Sequence, residues 1–261
     1  MSDLTALQLI QRVIAQSGAP NRAQTVDHVS AGDPTQAVNG VAVLTQATLE
    51  GLRQAANAKA NLVFTYDPAF WATGDDLTRM ESDALFLEKR DFIRAHNLVV
   101  FNLHDHLRDS MPDRIAAGMA QALGWQSDPA DINLFRRPPT TLLALAQELG
   151  AKLDDKSLRV IGDPTLPVAT IATSFGNTQQ MPGITLLNGP IDVLVCGYAR
   201  EWEVVEYAQD MISAGLKKAV ILLGENSSVQ AGMKSSADWI KAVVTEVPVT
   251  FISLPEPYWI L

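Results

Sequence analysis

The chain has 261 residues, 47% of them hydrophobic, enough for one large or two ordinary domains with a substantial core. Twenty basic residues against 29 acidic ones give a formal charge of −9, and the basic pairs Arg136-Arg137 and Lys217-Lys218 stand alone, so nucleic acid is not an expected partner. A single cysteine, Cys196, excludes an internal disulfide and a cysteine-rich zinc site.

Residues 1–16 carry an early acid and then apolar residues at helical spacing, without a basic segment or an uninterrupted apolar core, which reads as a surface helix and not a secretion signal. No apolar run reaches the roughly 18 residues a membrane-spanning helix needs. A soluble, cytoplasmic protein is expected. Leu4, Leu7, Ile10, Val13 and Ile14 form one helical stripe that Gly18 stops. A strand follows over 38–45, a helix over 49–60, a buried strand at NLVFTY, a helix over 79–96, a second buried strand at NLVVFNL and a helix over 113–123 closed by Gly124.

Residues 126–140, QSDPADINLFRRPPT, hold three prolines and little periodicity, and this break divides the chain into an N-terminal α/β half at 1–125, a linker and middle segment at 126–191 and a C-terminal α/β half at 192–261. After the break a helix is expected over 140–153, strands at LRVIGD, VATIATSF, TLL and DVLVCG, a helix over 200–214 stopped by Gly215, a strand at AVILLG, a helix over 228–246 and a last strand at PVTFISL. The tail PEPYWIL, with Tyr258, Trp259 and Ile260, needs cover from a surface or a neighbouring subunit. Alternating strands and helices imply two similar α/β halves with mostly parallel or mixed sheets.

An internal repeat supports two halves. Gly32-Asp33-Pro34-Thr35, then Val38 and Ala42, recurs with identical spacing as Gly162-Asp163-Pro164-Thr165, then Val168 and Ala172. Downstream, Leu62-Val63 and Tyr66 recur as Leu194-Val195 and Tyr198.

In parallel α/β sheets functional groups collect beyond the carboxyl ends of strands. Three such ends are polar here: Thr65-Tyr66-Asp67, His104-Asp105-His106 and Gly224-Glu225-Asn226. Two imidazoles and a carboxylate within three positions suit a divalent metal or acid–base work, although no HxxxH or HExxH helix accompanies them; a capping and hydrogen-bonding cluster at a loop start is the structural alternative. Asp109 and Asp113 read as helix-entry residues, with Asp113 an N-cap. No Walker loop or GxGxxG is present, and Ser30, Ser174 and Ser227 lack a nucleophile-elbow context. Trp202 and Tyr207 fit packing on a helix, and Cys196, closing DVLVC, fits a buried strand thiol.

Taken together, QTVDHVSAGDP, NLVFTYDPAFW, LHDHLRDSMPDRIAAGMAQALGW, LRVIGDP, DVLVCGYAREWEVVEYAQD and LLGENSSVQAGMKSSADWIK resemble the NIF-three-like (dinuclear metal centre hexameric protein) family over essentially the whole chain. The resemblance implies two facing α/β halves, a toroidal hexamer with metal sites turned inward, and a metal-dependent hydrolase, in some members labelled a GTP cyclohydrolase. It also implies ligands at positions that here carry Tyr66, Asp67, Arg108, Glu225 and Val229. A histidine is expected at Tyr66, a second histidine or a glutamate at Asp67, a histidine at Glu225, an acidic or histidine ligand at Arg108 and a glutamate at Val229. Only Asp67 and Glu225 keep ligand-capable groups there, with His104 and His106 nearby in sequence. Valine cannot ligate and arginine opposes a dication, so the family's two-metal centre is not expected.

Two readings follow. One is an oligomeric scaffold, non-catalytic or binding a small molecule, in which Arg108 pairs with Asp67 or Glu225 and no metal is needed. The other is a hydrolase of phosphoester, amide or cyclohydrolase type with one divalent metal (Zn, Mn or Fe) held by Asp67, His104, His106 and Glu225, among cavity-lining candidates Tyr66, Asp105, Arg108 and Val229.

Overall fold

A computed structural model describes residues 4–20, 22–71, 77–258 and 260, so Trp259 lies outside the described residues. Two compact units comprise 1–115 with 232–254, and 116–231 with 255–261.

The first unit is built on a five-stranded sheet. Strands β2 (Val41–Leu44), β3 (Leu62–Thr65), β4 (Val99–Asn102) and β11 (Val249–Phe251) run parallel, and β1 (His28–Ala31) is antiparallel to β4 at one edge, in the order β1-β4-β3-β2-β11. Every residue of β2, β3 and β4 is buried, as expected of strands covered on both faces, which explains why they read as continuous apolar runs. Helices α1 (Ala6–Gln16), α2 (Leu49–Asn57) and α3 (Ala84–Ala95) start at the side-chain caps Thr5, Thr48 and Asp83. Thr5 and Gln8 complete a capping box. A core of Leu44, Leu52, Val63, Phe70, Phe86, Ile93 and Val100 fills one face. After β4 comes the single turn α4 (Asp105–Arg108), and then α5 (Arg114–Leu123), which contains a unit boundary.

The second unit repeats the plan in a six-stranded sheet. Strands β8 (Pro167–Asn177), β9 (Val193–Tyr198) and β10 (Ala219–Leu222) are parallel, with β7 (Arg159–Ile161) antiparallel to β10 at one edge and β6 (Asp131–Thr141) and β5 (Ser127–Asp128) beyond β8 at the other. Thus β7-β10-β9-β8 repeats β1-β4-β3-β2. The GDPT repeat performs the same task twice. Asp33 Oδ1 accepts from the Thr35 amide and hydroxyl at 2.9 and 2.7 Å, and Asp163 Oδ1 from those of Thr165 at 2.8 and 2.7 Å. The turn then offers Pro34 O to the Leu7 amide at the start of α1, as Pro164 O serves Leu143 in α6 (Leu142–Leu153). Gly32 and Gly162 have φ of +89° and +134°, and a Cβ on Gly32 would lie 2.1 Å from Leu98 O, so both the backbone angle and the close approach require glycine.

Several sequence expectations need correction. Residues 126–140 form β5 and most of β6, antiparallel to β8; the register shift between Arg136 and Thr140 accommodates Pro138 and Pro139. TLL lies inside α7 (Gln180–Asn188), because a three-residue apolar run carries no period. The helix expected over 200–214 opens as a π-helical turn, Glu201–Val205, before α8 (Glu206–Ser213), and the last long helix, α9 (Glu225–Val243), starts three residues earlier than expected. Among the described residues no helix is long and apolar enough to cross a membrane.

Candidate functional site

The polar residues after β4 are held by a carboxylate that stands outside the expected site residues. Asp27, just before β1, has a side chain only 1% exposed. Its Oδ1 accepts from the amides of His104 and Asp105, both at 2.7 Å, and its Oδ2 from the His106 amide at 3.0 Å and from His106 Nδ1 at 2.7 Å. Asp105 returns the clasp. Its Oδ2 accepts from Thr25 Oγ1 and the Val26 amide, both at 3.0 Å, and its Oδ1 lies 3.0 Å from His104 Nδ1. Burial works to raise the Asp105 carboxyl, but the bonds from His104, Val26 and Thr25 outweigh it and hold the group below its usual range. The segments before β1 and after β4 are thereby locked through buried, donor-saturated carboxylates. Asp27 falls inside QTVDHVSAGDP, where an acid before an apolar strand is its only signal.

The two imidazoles part company, because positions i and i+2 of a helical turn do not face each other. His104 packs on Tyr66, ring centroids 4.5 Å apart. Burial raises the Asp67 carboxyl, offset by a 3.3 Å bond from Gln46 Nε2 and by His104. His106 instead lines a cavity of about 210 Å³ with Pro20, Arg22, Thr25, Asp105 and Asp109. Arg22 donates twice to Asp109 and lies 3.3 Å from Asp105 Oδ1. Each imidazole has its Nδ1 turned to a carboxylate, which leaves Nε2 on the side of the ring away from that carboxylate.

Arg108 corrects a further expectation. In place of the expected Asp67 or Glu225, its guanidinium Nη1 lies 3.2 Å from Asp113 Oδ2, because the chain turns back between α4 and α5. Asp113 does stand just before the first residue of α5. Asp109 ends α4 and does not open a helix. In the second unit Glu225 is the first residue of α9 and half-buried, and Val229, one turn later, is fully buried. Cys196 is a buried strand thiol, as its sequence context implies, and burial pushes it up to about 12. Among the described residues no group of three or more His, Cys, Asp or Glu side chains is arranged to hold a metal ion.

The fold is shared beyond this chain. The family model described as Duf34/NIF3 (NGG1p interacting factor 3) matches residues 5–257. The chain belongs to the Duf34/NIF3 family. Among solved structures, this family member is similar to a Bacillus cereus protein related to NIF3, with 13% identity, a TM-score of 0.80 and 100% of both chains covered. It is also similar to Staphylococcus aureus protein SA1388, with 14% identity, a TM-score of 0.77 and 100% of both chains covered. The Thermus thermophilus protein TTHA1606 has 17% identity and a TM-score of 0.63, with 96% of this chain and 95% of that chain covered. Identities at this level establish the fold alone. No curated protein matches the sequence.

Proposed function

We propose that this member of the Duf34/NIF3 family works in the cytoplasm without the dinuclear metal centre that the sequence resemblance implies, as a homo-oligomeric scaffold, most simply a toroidal hexamer, that is non-catalytic or binds a small molecule. The observation that carries the reading is the fate of the ligand positions implied by the family resemblance. Tyr66 is buried with its ring against His104, Arg108 is committed to Asp113, and Val229 is a core side chain. An arginine and a valine supply no electron pair to a cation, so this donor set does not fit two metals. The polar residues that remain near β4 are spent on the loop clasp, whose carboxylates already accept from backbone amides. The 210 Å³ cavity beside His106 is large enough for a small polar molecule and is the natural place for one.

One observation favours a second reading, a hydrolase with a single divalent metal. A carboxylate on Nδ1 is the usual companion of a metal-binding imidazole, and both histidines have one.

The deciding experiment is metal analysis by mass spectrometry of protein purified without chelator or added metal, with its mass by light scattering. No stoichiometric transition metal and a hexameric mass are expected. About one equivalent per chain would establish the second reading, two would restore the family centre, and a monomer would remove the scaffold.

A further inference from the structure

The six-stranded sheet of the second unit is left open at an edge whose flank is apolar. β7 is the last strand in the order β5-β6-β8-β9-β10-β7, and among the described residues it pairs on one side alone, with β10. Its middle residue, Val160, is 41% exposed, and Ile161 turns to the opposite face, against the core that contains Leu194, Val220 and Leu222. On the Val160 face a groove of about 500 Å³ runs along α6, lined by Leu143, Ala146, Gly150, Leu158 and Val160. Leu143 is 52% exposed. An open strand edge is a template for a further strand, and an apolar groove beside it takes the alternate side chains of the strand that is added.

The chain carries a segment of matching chemistry at the same edge. Glu256 accepts from Ser227 Oγ at 3.1 Å, and its carboxyl lies against Gly224, where a Cβ would meet it at 3.0–3.2 Å. Gly224 follows Leu222, the last residue of β10, by two positions, and Leu222 is the partner of Arg159, the first residue of β7. The tail is thus anchored next to the open edge. Beyond the anchor, Tyr258 is 71% and Ile260 60% exposed. Because Leu143, Val160, Tyr258 and Ile260 are all exposed in the single chain, the tail does not cover its own groove.

The prolines of the tail fall at 255 and 257. Alternate residues of a strand turn their amides to the same neighbour, so a partner on the side of 256, 258 and 260 meets three amides, while Pro255 and Pro257 face away, where an edge strand tolerates proline. The same alternation puts the side chains of Tyr258 and Ile260 on one face. A buried tyrosine removes about 150–250 Å² from water, an isoleucine somewhat less and the groove a similar area in return, so two exchanged tails bury roughly 1,200 Å², the lower end of what a specific interface needs.

We propose that the tail of one copy adds as a strand to the β7 edge of a second copy, with Tyr258 and Ile260 in the groove along α6, and that the second copy returns the same contact. This rests on the homo-oligomeric reading above. Since tail and groove lie at one edge, a single two-fold axis there satisfies both tails.

The test is the mass of the full chain by light scattering at micromolar concentration. Leu143→Asp with Val160→Asp, and separately Tyr258→Ser with Ile260→Ser, should each at least halve the mass found for the parent, whereas Leu216→Asp, an exposed leucine outside the groove, should leave it unaltered. All the positions changed are exposed and an acid suits the first turn of α6, so the variants fold, which circular dichroism checks. In Leu143→Cys with Ile260→Cys, mild oxidation should join chains into covalent dimers, because the native Cys196 is buried and takes no part. Unchanged masses for both variants of an oligomeric parent would overturn the exchanged tail and leave the oligomer standing, whereas a monomeric parent would overturn the oligomeric reading and this contact with it. A loss of mass confined to one of the two variants would mean that tail and groove have different partners, and would overturn their pairing. An oxidised monomer without covalent dimer would put the tail on the groove of its own chain and overturn the exchange.

Discussion

The exits of β4 and β10 occupy the same place in two units of the same topology, and they solve opposite problems. After β4, carboxylates are buried deeply but every one is answered: Asp27 by three amides and an imidazole, Asp105 by a hydroxyl, an amide and another imidazole. After β10, Glu256 accepts from Ser227 in the first turn of α9 while the charge of Asp155 acts against it, and among the described residues Asp155 Oδ2 is buried without a hydrogen-bond partner. A duplicated framework thus fixes where polar groups emerge without fixing their chemistry. That is decided by which short segments happen to reach the exit, 25–27 in one unit and 255–256 in the other.

Removing the clasp should have the largest effect. Asp27→Ala strands three amide donors and His106 in a buried setting and should cost about 3–5 kcal/mol by denaturant unfolding, with Asp27→Asn in between. A loss below about 1 kcal/mol would show that the first exit is no better satisfied than the second, and the contrast would fall.

The second unit has its own saturated carboxylate away from the exit. Glu148 accepts from Trp125 Nε1, Arg137 and Lys152, at 3.0 Å in each case. Burial works to raise its carboxyl, but these donors outweigh it and bring it down to about 2 from 4.5. A depressed acid stabilises above its unfolded value, and that stability drains away as pH falls from about 4.5 towards 2. The shift corresponds to about 3 kcal/mol, an upper figure for a partly exposed group. Glu148→Gln should flatten this acid limb in a stability profile, and an unchanged limb would assign acid sensitivity elsewhere.

Arg108→Ala separates the two exits more finely. With Asp113 as partner, the half-buried pair should be worth about 1–3 kcal/mol, and zinc should not restore the loss. Recovery with zinc would mean that the vacated place belongs to a metal site and would favour the mononuclear reading.

The smallest expected change is a gain. Lys89, on α3, is 3% exposed, donates to Ala69 O and lies 5.5 and 5.1 Å from the Phe70 and Trp71 ring centroids. Burial lowers its ammonium to about 8 from 10.5. A lysine that binds its proton less tightly when folded weakens the fold fully below about pH 8 and ceases to do so above about 10.5. Lys89→Met should therefore stabilise the protein by about 1–2 kcal/mol at neutral pH, less above pH 8, the bond to Ala69 O limiting the gain. A loss at neutral pH would show that the contacts of the cation outweigh its burial.

The local sequence determined a good deal. Val41–Leu44, Leu62–Thr65, Val99–Asn102, Val193–Tyr198 and Ala219–Leu222 were legible as strands because each is an apolar run long enough to cross a sheet and too short for a helix. The GDPT repeat disclosed duplicated topology because a turn needing glycine at positive φ and an aspartate to bond its own backbone tolerates few substitutes. HDH was legible as a polar strand exit, and the loss of donor chemistry at Arg108 and Val229 needed only residue type. Tertiary structure alone decided that β6 is a strand despite its prolines, since antiparallel pairing and a register shift near the sheet edge supply what local propensity denies it. It alone brought Asp27 to His106 across 79 residues and Ser227 to Glu256 across 29, and turned Arg108 to Asp113. Electrostatic and hydrogen-bond partners are chosen by proximity in space, which short-range pattern does not encode. For that reason the elements could be read from the chain, whereas the wiring of the candidate site could not.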